Sequence, residues 1–273
     1  MIQWFVLSVA TVVAFDHEEI MFRPKQQSKS VAKPTLKYYQ NAKDYIQKEY
    51  NSKDMFKTLV IGAHDGTHND NLHHSMKKVK DQGHWFGYFV EPVKNNFEKL
   101  ISHYNFGHRE EKGIWHMNAH NFLQAAVSKK ERIALNHTCT FYSVSDKAPD
   151  NIPPWVRTQI AKLDKERMIH RLKSFGILEY LEVTHIPCYT YDELIERMSL
   201  KNVELDHLQI DVEGFDYEIL EMVVKTKYKL PRSILYESKI IKRWKLDIEA
   251  EKILTEVGYL VQKEGENTFA YKI

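Results

Sequence analysis

"LDHLQIDVEGFDYEILEMV", Leu205 to Val223, changes character in the middle. Leu205 to Val212 is short and apolar, as a buried strand is. Beyond Gly214, Phe215, Ile219, Leu220 and Val223 recur at helical spacing. Between the halves stand Asp211, Val212, Glu213 and Gly214. A buried carboxylate is costly unless something pairs with it. Two acids where a strand turns into a helix therefore either cap that helix or face a ligand. On extended backbone Asp211 and Glu213, two apart, point the same way, towards a cleft. Val212 then points into the core, and Gly214 lets the helix start close to the strand.

The rest of the chain repeats the strand–helix alternation. "MFKTLVIGAHDG" (55–66) begins as a strand, Lys57 to Ile61, and ends in a glycine turn. Thr67, Asn69 or Asp70 then caps a helix running to about Lys80. "HWFGYFVEP" (84–92) is a second strand, stopped by Pro92, and 93–104 a helix with Phe97, Leu100 and Ile101 inward. Strands follow at 121–128 and 137–145, then an amphipathic helix or helix pair at 153–175. Further strands at 182–190 and 232–238, helices at 191–198 and 247–258, and a closing hairpin complete the pattern. It predicts an α/β domain with a mostly parallel sheet and an antiparallel edge from the C-terminal hairpin.

Composition narrows the function. The 273 residues are 43% hydrophobic and 28% charged, enough for one globular domain with a sizeable core. Lys+Arg is 39 and Asp+Glu 37, and no basic stretch is interleaved with aromatics, so nothing argues for a nucleic-acid partner. Cys139 and Cys188 form neither CxxC nor a zinc spacing. Two thiols in a chain of this length are expected to be simply buried, pairing only in an oxidising compartment.

Residues 1–15, "MIQWFVLSVATVVAF", are too short for a comfortable membrane span and fit the apolar core of a signal peptide, with Ala14 near the cleavage position. A short signal-anchor and a buried first strand are the alternatives. The segment gives the one route to membrane association. It points to the secretory route or an endomembrane lumen, with the cytoplasm as the alternative. Residues 16–35 read as a linker.

Ligands of such sheets bind at the carboxyl ends of the strands. Three ends carry unusual residues. In "IGAHDG", Gly62 and Gly66 allow close backbone approach before a helix start. The turn is not GxGxxG, because His64 and Thr67 replace the later glycines, so it does not cradle a pyrophosphate. Glu91, in "FVEP", ends an apolar strand where a carboxylate can accept both hydroxyls of a ribose. Asp211 and Glu213 make the third. Together these ends suit a nucleoside without a phosphate to cradle, as in S-adenosylmethionine. His64 and His68, and His116 and His120, are four apart, but no carboxylate completes a metal set. Asn136-His137-Thr138 is a glycosylation acceptor pattern, relevant to an exported chain.

"LVIGAHDG…YFVEPVKNNFEKL…AAVS…FYSVSD…LQIDVEGFDYEIL…ILYES" resembles the FkbM methyltransferase family over about residues 57–240. The resemblance implies a Rossmann-like methyltransferase fold over 36–273. It also implies methyl transfer from S-adenosylmethionine to a hydroxyl oxygen of a small-molecule, glycan or lipid-like acceptor. By position, Gly62, His64 and Gly66 would lie along the methionine part of the cofactor and Glu91 would hold the ribose. Gln124 and Ala125 would flank the adenine, and Asp211 and Glu213 would face methyl transfer. Two features depart from the family: Gln209 stands where lysine is usual, and His64 where asparagine is common.

The stretches 105–120 and 146–180 exceed a minimal member. In the helical insertion, 153–180, Val156, Ile160, Leu163, Leu172 and Phe175 form an apolar stripe. It reads as a lid over the acceptor side, with Trp155 contacting the acceptor, or as one more core helix. A nicotinamide-dependent oxidoreductase and a non-catalytic binding protein are the competing function classes.

Overall fold

The computed structural model describes residues 39–66, 85–109, 120–149 and 151–272. The segments expected at 1–15 and 16–35, the helix expected from about 67 to 80, and His68 and His116 lie outside them. Among the described residues no helix is long and apolar enough to cross a membrane.

The chain begins with α1 (Ala42–Asn51), β1 (Phe56–Ile61), β2 (Trp85–Val90), α2 (Lys94–Arg109) and β3 (His120–Leu123). A second group follows: β4 (Ala126–Val127), β5 (Thr138–Val144), α3 (Pro154–Gln159), α4 (Lys165–Ser174) and β6 (Leu181–Tyr189). Next come α5 (Tyr191–Arg197), β7 (His207–Ile210) and α6 (Asp216–Val224). The chain closes with β8 (Ser233–Glu237), α7 (Ser238–Lys242), α8 (Asp247–Glu256), β9 (Tyr259–Glu264) and β10 (Asn267–Lys272).

Seven strands make one sheet in the order β3-β2-β1-β7-β8-β10-β9. From β3 to β8 all neighbours are parallel, and β10 runs antiparallel to β8 and β9. This is the Rossmann-like, mostly parallel architecture with an antiparallel C-terminal hairpin that the sequence predicts. Chain order reverses at β1, with β2 and β3 on one side and β7 and β8 on the other. The crevice at the carboxyl end of β1 is therefore the switch point where such sheets hold ligands.

Apolar residues at odd and even strand positions serve opposite faces, because strand side chains alternate. Leu59, Ile61, Tyr88, Val90, Leu208, Ile210, Ile234 and Tyr236 meet α5, α6 and α8. Phe56, Val60, Trp85, Phe89 and Leu235 meet α1 and α2 on the other side. The short apolar runs read in the sequence are thus central strands covered twice.

Helix α1 was not anticipated. Asn41 caps it by accepting the Asp44 N–H, and Ala42, Tyr45, Ile46, Glu49 and Tyr50 form its buried stripe. It docks through polar groups as well. The Tyr45 hydroxyl and Ser233 Oγ each donate to the Asp206 carbonyl at 3.0 Å. His207 Nδ1 stands 2.8 Å from Ser233 Oγ. Burial pushes the His207 pKa down to about 3.

The sequence places residues 121–128 in one strand, but the structure breaks it at Gln124–Ala125. The main sheet ends with Leu123, and Ala126–Val127 joins a separate three-stranded sheet, β4-β6-β5. The strands at 138–144 and 181–189 belong there too, paired antiparallel. Cys139 and Cys188 are buried, as expected, but also joined in a disulfide across β5 and β6, with Cα atoms 5.5 Å apart. Their register permits it, because they sit on facing strands of one hairpin-like pair.

The insertion also forms as two helices, separated near 160–164, where Asp164 caps α4. Its stripe does not join the main core. Val156, Ile160, Met168 and Leu172 pack with Val144, Ile152 and Ile177 into a cluster of their own. Leu163 and Ala161 lie instead against the cluster holding the disulfide. Trp155 is 39% exposed and packs edge-on against Phe175, because Val156 and Ile160 take the inward face of α3.

The disulfide closes a separation of 49 residues. Replacing Cys139 and Cys188 with serine should lower unfolding free energy by about 2–4 kcal/mol, read by chemical denaturation, because the unfolded chain gains freedom.

Candidate functional site

Three strand ends converge on a cavity of about 300 Å³. Ile61, Gly62 and His64 come from the end of β1, Glu91 to Val93 from β2, and Asp211 to Glu213 from β7. Ala125, Ala126 and Phe141 form an apolar wall where the small sheet begins, and Lys162, between α3 and α4, enters opposite Glu213. Glu237, at the end of β8, closes the far side with Glu266 of the hairpin turn and Asn267 at the start of β10.

The β1 turn is pinned on both sides. Gly62 and Ala63 N–H groups both donate to the Val90 carbonyl, at 2.9 and 3.0 Å, and the Asp211 N–H donates to the Ile61 carbonyl at 3.0 Å. Gly62 has φ 83°, and a Cβ there would stand 1.8 Å from the Asp211 carbonyl oxygen. Only glycine fits.

Glu91 is 4% exposed. Its Oε2 accepts the His64 N–H at 2.8 Å and its Oε1 the Val93 N–H at 2.9 Å. Burial pushes its pKa up to about 7, against the pull of these two bonds and of Asn96. Glu91 is therefore no solvated strand end. With three donors on about four lone-pair sites, the carboxylate keeps one site for an incoming hydroxyl.

Strand β7 stops at Ile210, and Glu213 has φ 55°, so Asp211 and Glu213 do not share the extended backbone that the sequence suggested. Both nevertheless line the cavity, and Val212 lines it too while packing on the core. Helix α6 starts at Asp216 without a side-chain cap from Asp211. Asp216 instead turns back to accept the Gly214 N–H at 3.2 Å. Burial first, then Asp211 and Glu237, raise its pKa well above the usual range. Gly214 (φ 99°) makes room for Trp244, whose ring a Cβ would meet at 2.6 Å.

Lys162 Nζ donates to the Glu213 carbonyl at 3.0 Å and lies 3.7 Å from its carboxylate. Burial lowers the Lys162 pKa and raises that of Glu213, each opposed by the other's charge. Burial, then Glu213 and Glu266, push Glu237 up to about 7. Among the described residues no three His, Cys, Asp or Glu side chains converge as a metal site.

Of the residues singled out in the sequence, Gly62, His64, Glu91, Ala125, Asp211 and Glu213 line this one cavity. Gly66 and Gln124 lie outside the lining. Gly66 faces α2, where a Cβ would meet Tyr104 at 2.8 Å and Leu100 at 2.9 Å. Gln124 falls in the break between the two sheets. Lys162 and Glu237 went unread. Glu237 carried a usable signal, since it ends an apolar strand as Glu91 does. Lys162 carried none, because only the fold brings the insertion here. Gln209, the departure from the family lysine, is buried in β7 outside the lining, and the amine beside the acids comes from Lys162.

Fold and site together define a Rossmann-like protein with a cavity across the ends of its first, second and seventh strands. The sequence profile of the methyltransferase FkbM domain matches residues 61–269. The chain belongs to the FkbM methyltransferase family.

Solved structures are similar at low identity. Methyltransferase FkbM from Methylobacillus flagellatus KT aligns with 12% identity and TM-score 0.45 over 80% of this chain and 44% of that one. The chain thus spans less than half of that structure. A putative caffeoyl-CoA O-methyltransferase from Staphylococcus aureus aligns with 8% identity and TM-score 0.41, over 85% of this chain and 82% of that one. Fibrillarin from Aeropyrum pernix, solved with S-adenosyl-L-methionine bound, aligns with 10% identity and TM-score 0.39, over 81% and 67% respectively. At such values these likenesses carry no argument of their own. No curated protein matches the sequence.

Gly62→Ala should destabilise the fold by at least about 2 kcal/mol, since it combines backbone strain with a clash against main chain. Gly258→Ala is the control: φ there is 90°, but a Cβ meets nothing within 4 Å. It should cost only about 1 kcal/mol. Equal melting temperatures for the two variants would show that the approach to Asp211 is slack.

Proposed function

We propose that this protein transfers a methyl group from S-adenosylmethionine to a hydroxyl oxygen of a small-molecule, sugar or lipid-like acceptor. The observation that carries the reading is the meeting of Gly62, Glu91, Asp211 and Glu213 around one cavity at the switch point of the sheet. The residues suit the donor. Gly62 offers a wall without a side chain, and Glu91 presents a buried carboxylate edge to a ribose hydroxyl. Ala125, Ala126 and Phe141 give an apolar face for a flat ring. When bound, S-adenosylmethionine supplies an electrophilic methyl on a sulfonium.

The chain's own work is to hold the acceptor and take its proton. Asp211 and Glu213 orient the acceptor hydroxyl, with Lys162 fixing the Glu213 backbone through its carbonyl. Glu237 receives the proton. A carboxylate whose pKa is near 7 is a better base at neutral pH than an ordinary one. The turn with His64 and Thr67 in place of glycines speaks against a nicotinamide oxidoreductase. Lys162, standing beside the acids in a chain where Gln209 replaces the family lysine, favours a catalytic reading over a binding protein that has lost its chemistry.

Calorimetry tests the reading. S-adenosylhomocysteine should bind and NAD should not, and the reverse would overturn it. Glu91→Ala should weaken S-adenosylhomocysteine about ten- to a hundredfold, since a charge-assisted hydrogen bond is worth about 1.5–3 kcal/mol. Turnover of a labelled methyl donor over a panel of hydroxylated acceptors then identifies the substrate.

The pH profile separates the two buried acids. Glu237 serves as base only when ionised, so kcat should rise as pH climbs through about 7. Glu237→Gln should remove that limb and lower kcat by about a hundredfold. Glu91 is needed charged as well, but its titration should appear in donor affinity. A limb in kcat that survives Glu237→Gln would transfer the proton to Asp211 or Glu213.

A further inference from the structure

Asn136-His137-Thr138 is the only Asn-x-Ser/Thr pattern in the 273 residues. It forms the tip of a tight turn entering β5. The Ala134 N–H donates to the Thr138 carbonyl at 2.8 Å and the His137 N–H to the Ala134 carbonyl at 2.9 Å. His137 adopts the left-handed conformation (φ 56°) that such three-residue connections use. Asn136 is exposed. Thr138 Oγ1 donates to its Oδ1 at 2.8 Å, a bond in which the amide nitrogen takes no part. Beside it, Leu135 is 104% exposed, apolar surface that an attached chain of sugars would cover. None of these residues lines the cavity.

A second observation is independent of the motif. The residue after it, Cys139, is bonded to Cys188 inside an apolar cluster, and the Cys188 N–H donates to the His137 carbonyl at 2.9 Å. Disulfides persist where folding is oxidising, the compartments in which Asn-x-Thr is glycosylated. The apolar segment at residues 1–15 fits delivery there.

We propose that Asn136 carries an N-linked oligosaccharide and that the domain matures in an oxidising lumen. The sugar donor is a polyisoprenyl-diphosphate-linked oligosaccharide. Asn136 Nδ2 bonds to its anomeric carbon as the carbon–oxygen bond to diphosphate breaks. The diphosphate leaves with the electron pair and the amide loses one proton, so nothing is oxidised or reduced. The glycan stands clear of the cleft and does not depend on the methyl-transfer reading.

The test expresses the full chain, N-terminal segment included, in cultured animal cells. Peptide N-glycosidase should shift its mobility by one oligosaccharide, with Asn136 converted to aspartate in the tryptic peptide. Asn136→Gln and Thr138→Ala should abolish the shift, and the conservative Thr138→Ser should keep it. Thiol labelling of the denatured, unreduced protein should find neither cysteine free. A chain with the disulfide formed but insensitive to the glycosidase would overturn the glycan. A cytosolic chain with both thiols free would overturn the compartment and the glycan together.

Discussion

At Gly62 the backbone passes so close to Asp211 that one added carbon would stand 1.8 Å from its carbonyl oxygen. The rest of the site follows from that approach. It brings the end of β1 against the end of β7, and the shared Val90 carbonyl ties the same turn to β2. Glu91 then reaches back across the gap to the His64 N–H. A carboxylate so buried is held because backbone donors replace the water it lost. The three strand ends thus form one hydrogen-bonded unit, and a shift in any would open a hole in the others.

The acids on the far side answer a different constraint. Asp211, Glu213, Asp216 and Glu237 lie close enough that the charges of some raise the pKa of others. Four ionised carboxylates there would repel and would lack solvation. The site relieves this in two ways. Asp216, fully buried, has its charged form disfavoured by burial and uses its Oδ2 to hold Gly214. Lys162 sets a cation against Glu213. What remains includes Glu213, its pKa raised by burial, and Glu237, placed to exchange a proton near neutrality.

Most of this plan was legible because it is local. An apolar run ending in Glu91, and another ending in Asp211-Val212-Glu213-Gly214, say strand, turn and acid without reference to distant residues. The parts that escaped depend on contacts across the fold. Lys162 sits in an insertion whose sequence gives no hint that its main chain bridges Tyr142 and so aims the amine at Glu213. The disulfide depends on β5 and β6 pairing, which spacing alone does not fix. The break at Gln124–Ala125 was invisible because both pieces are strand-like; only their partners differ. Helix α1 could have been read: its stripe at 42, 45, 46, 49 and 50 is periodic, but tyrosines and a glutamate fill it where aliphatic residues are usual.

The insertion was framed as either a lid over the acceptor side or one more core helix on the main sheet. Its apolar stripe is buried in a cluster of its own, so α3 and α4 are held on the small sheet rather than hung over the cleft. From that base it grips the loop after β7. Lys162 bonds the Glu213 carbonyl, and Arg167 lies 3.8 Å over the Trp244 ring that fills the space left by Gly214. Arg132, beside the small sheet, adds a cation 5.1 Å from the Phe215 ring. The left-handed turn at Glu213 is strained for a residue with a side chain, and persists only where its surroundings over-determine it. The insertion supplies much of that determination. The glycine needed for Trp244, the lysine needed for Glu213 and the disulfide beneath Ala161 and Leu163 therefore serve one end: fixing the two acids after β7 in a conformation their own strand would not hold.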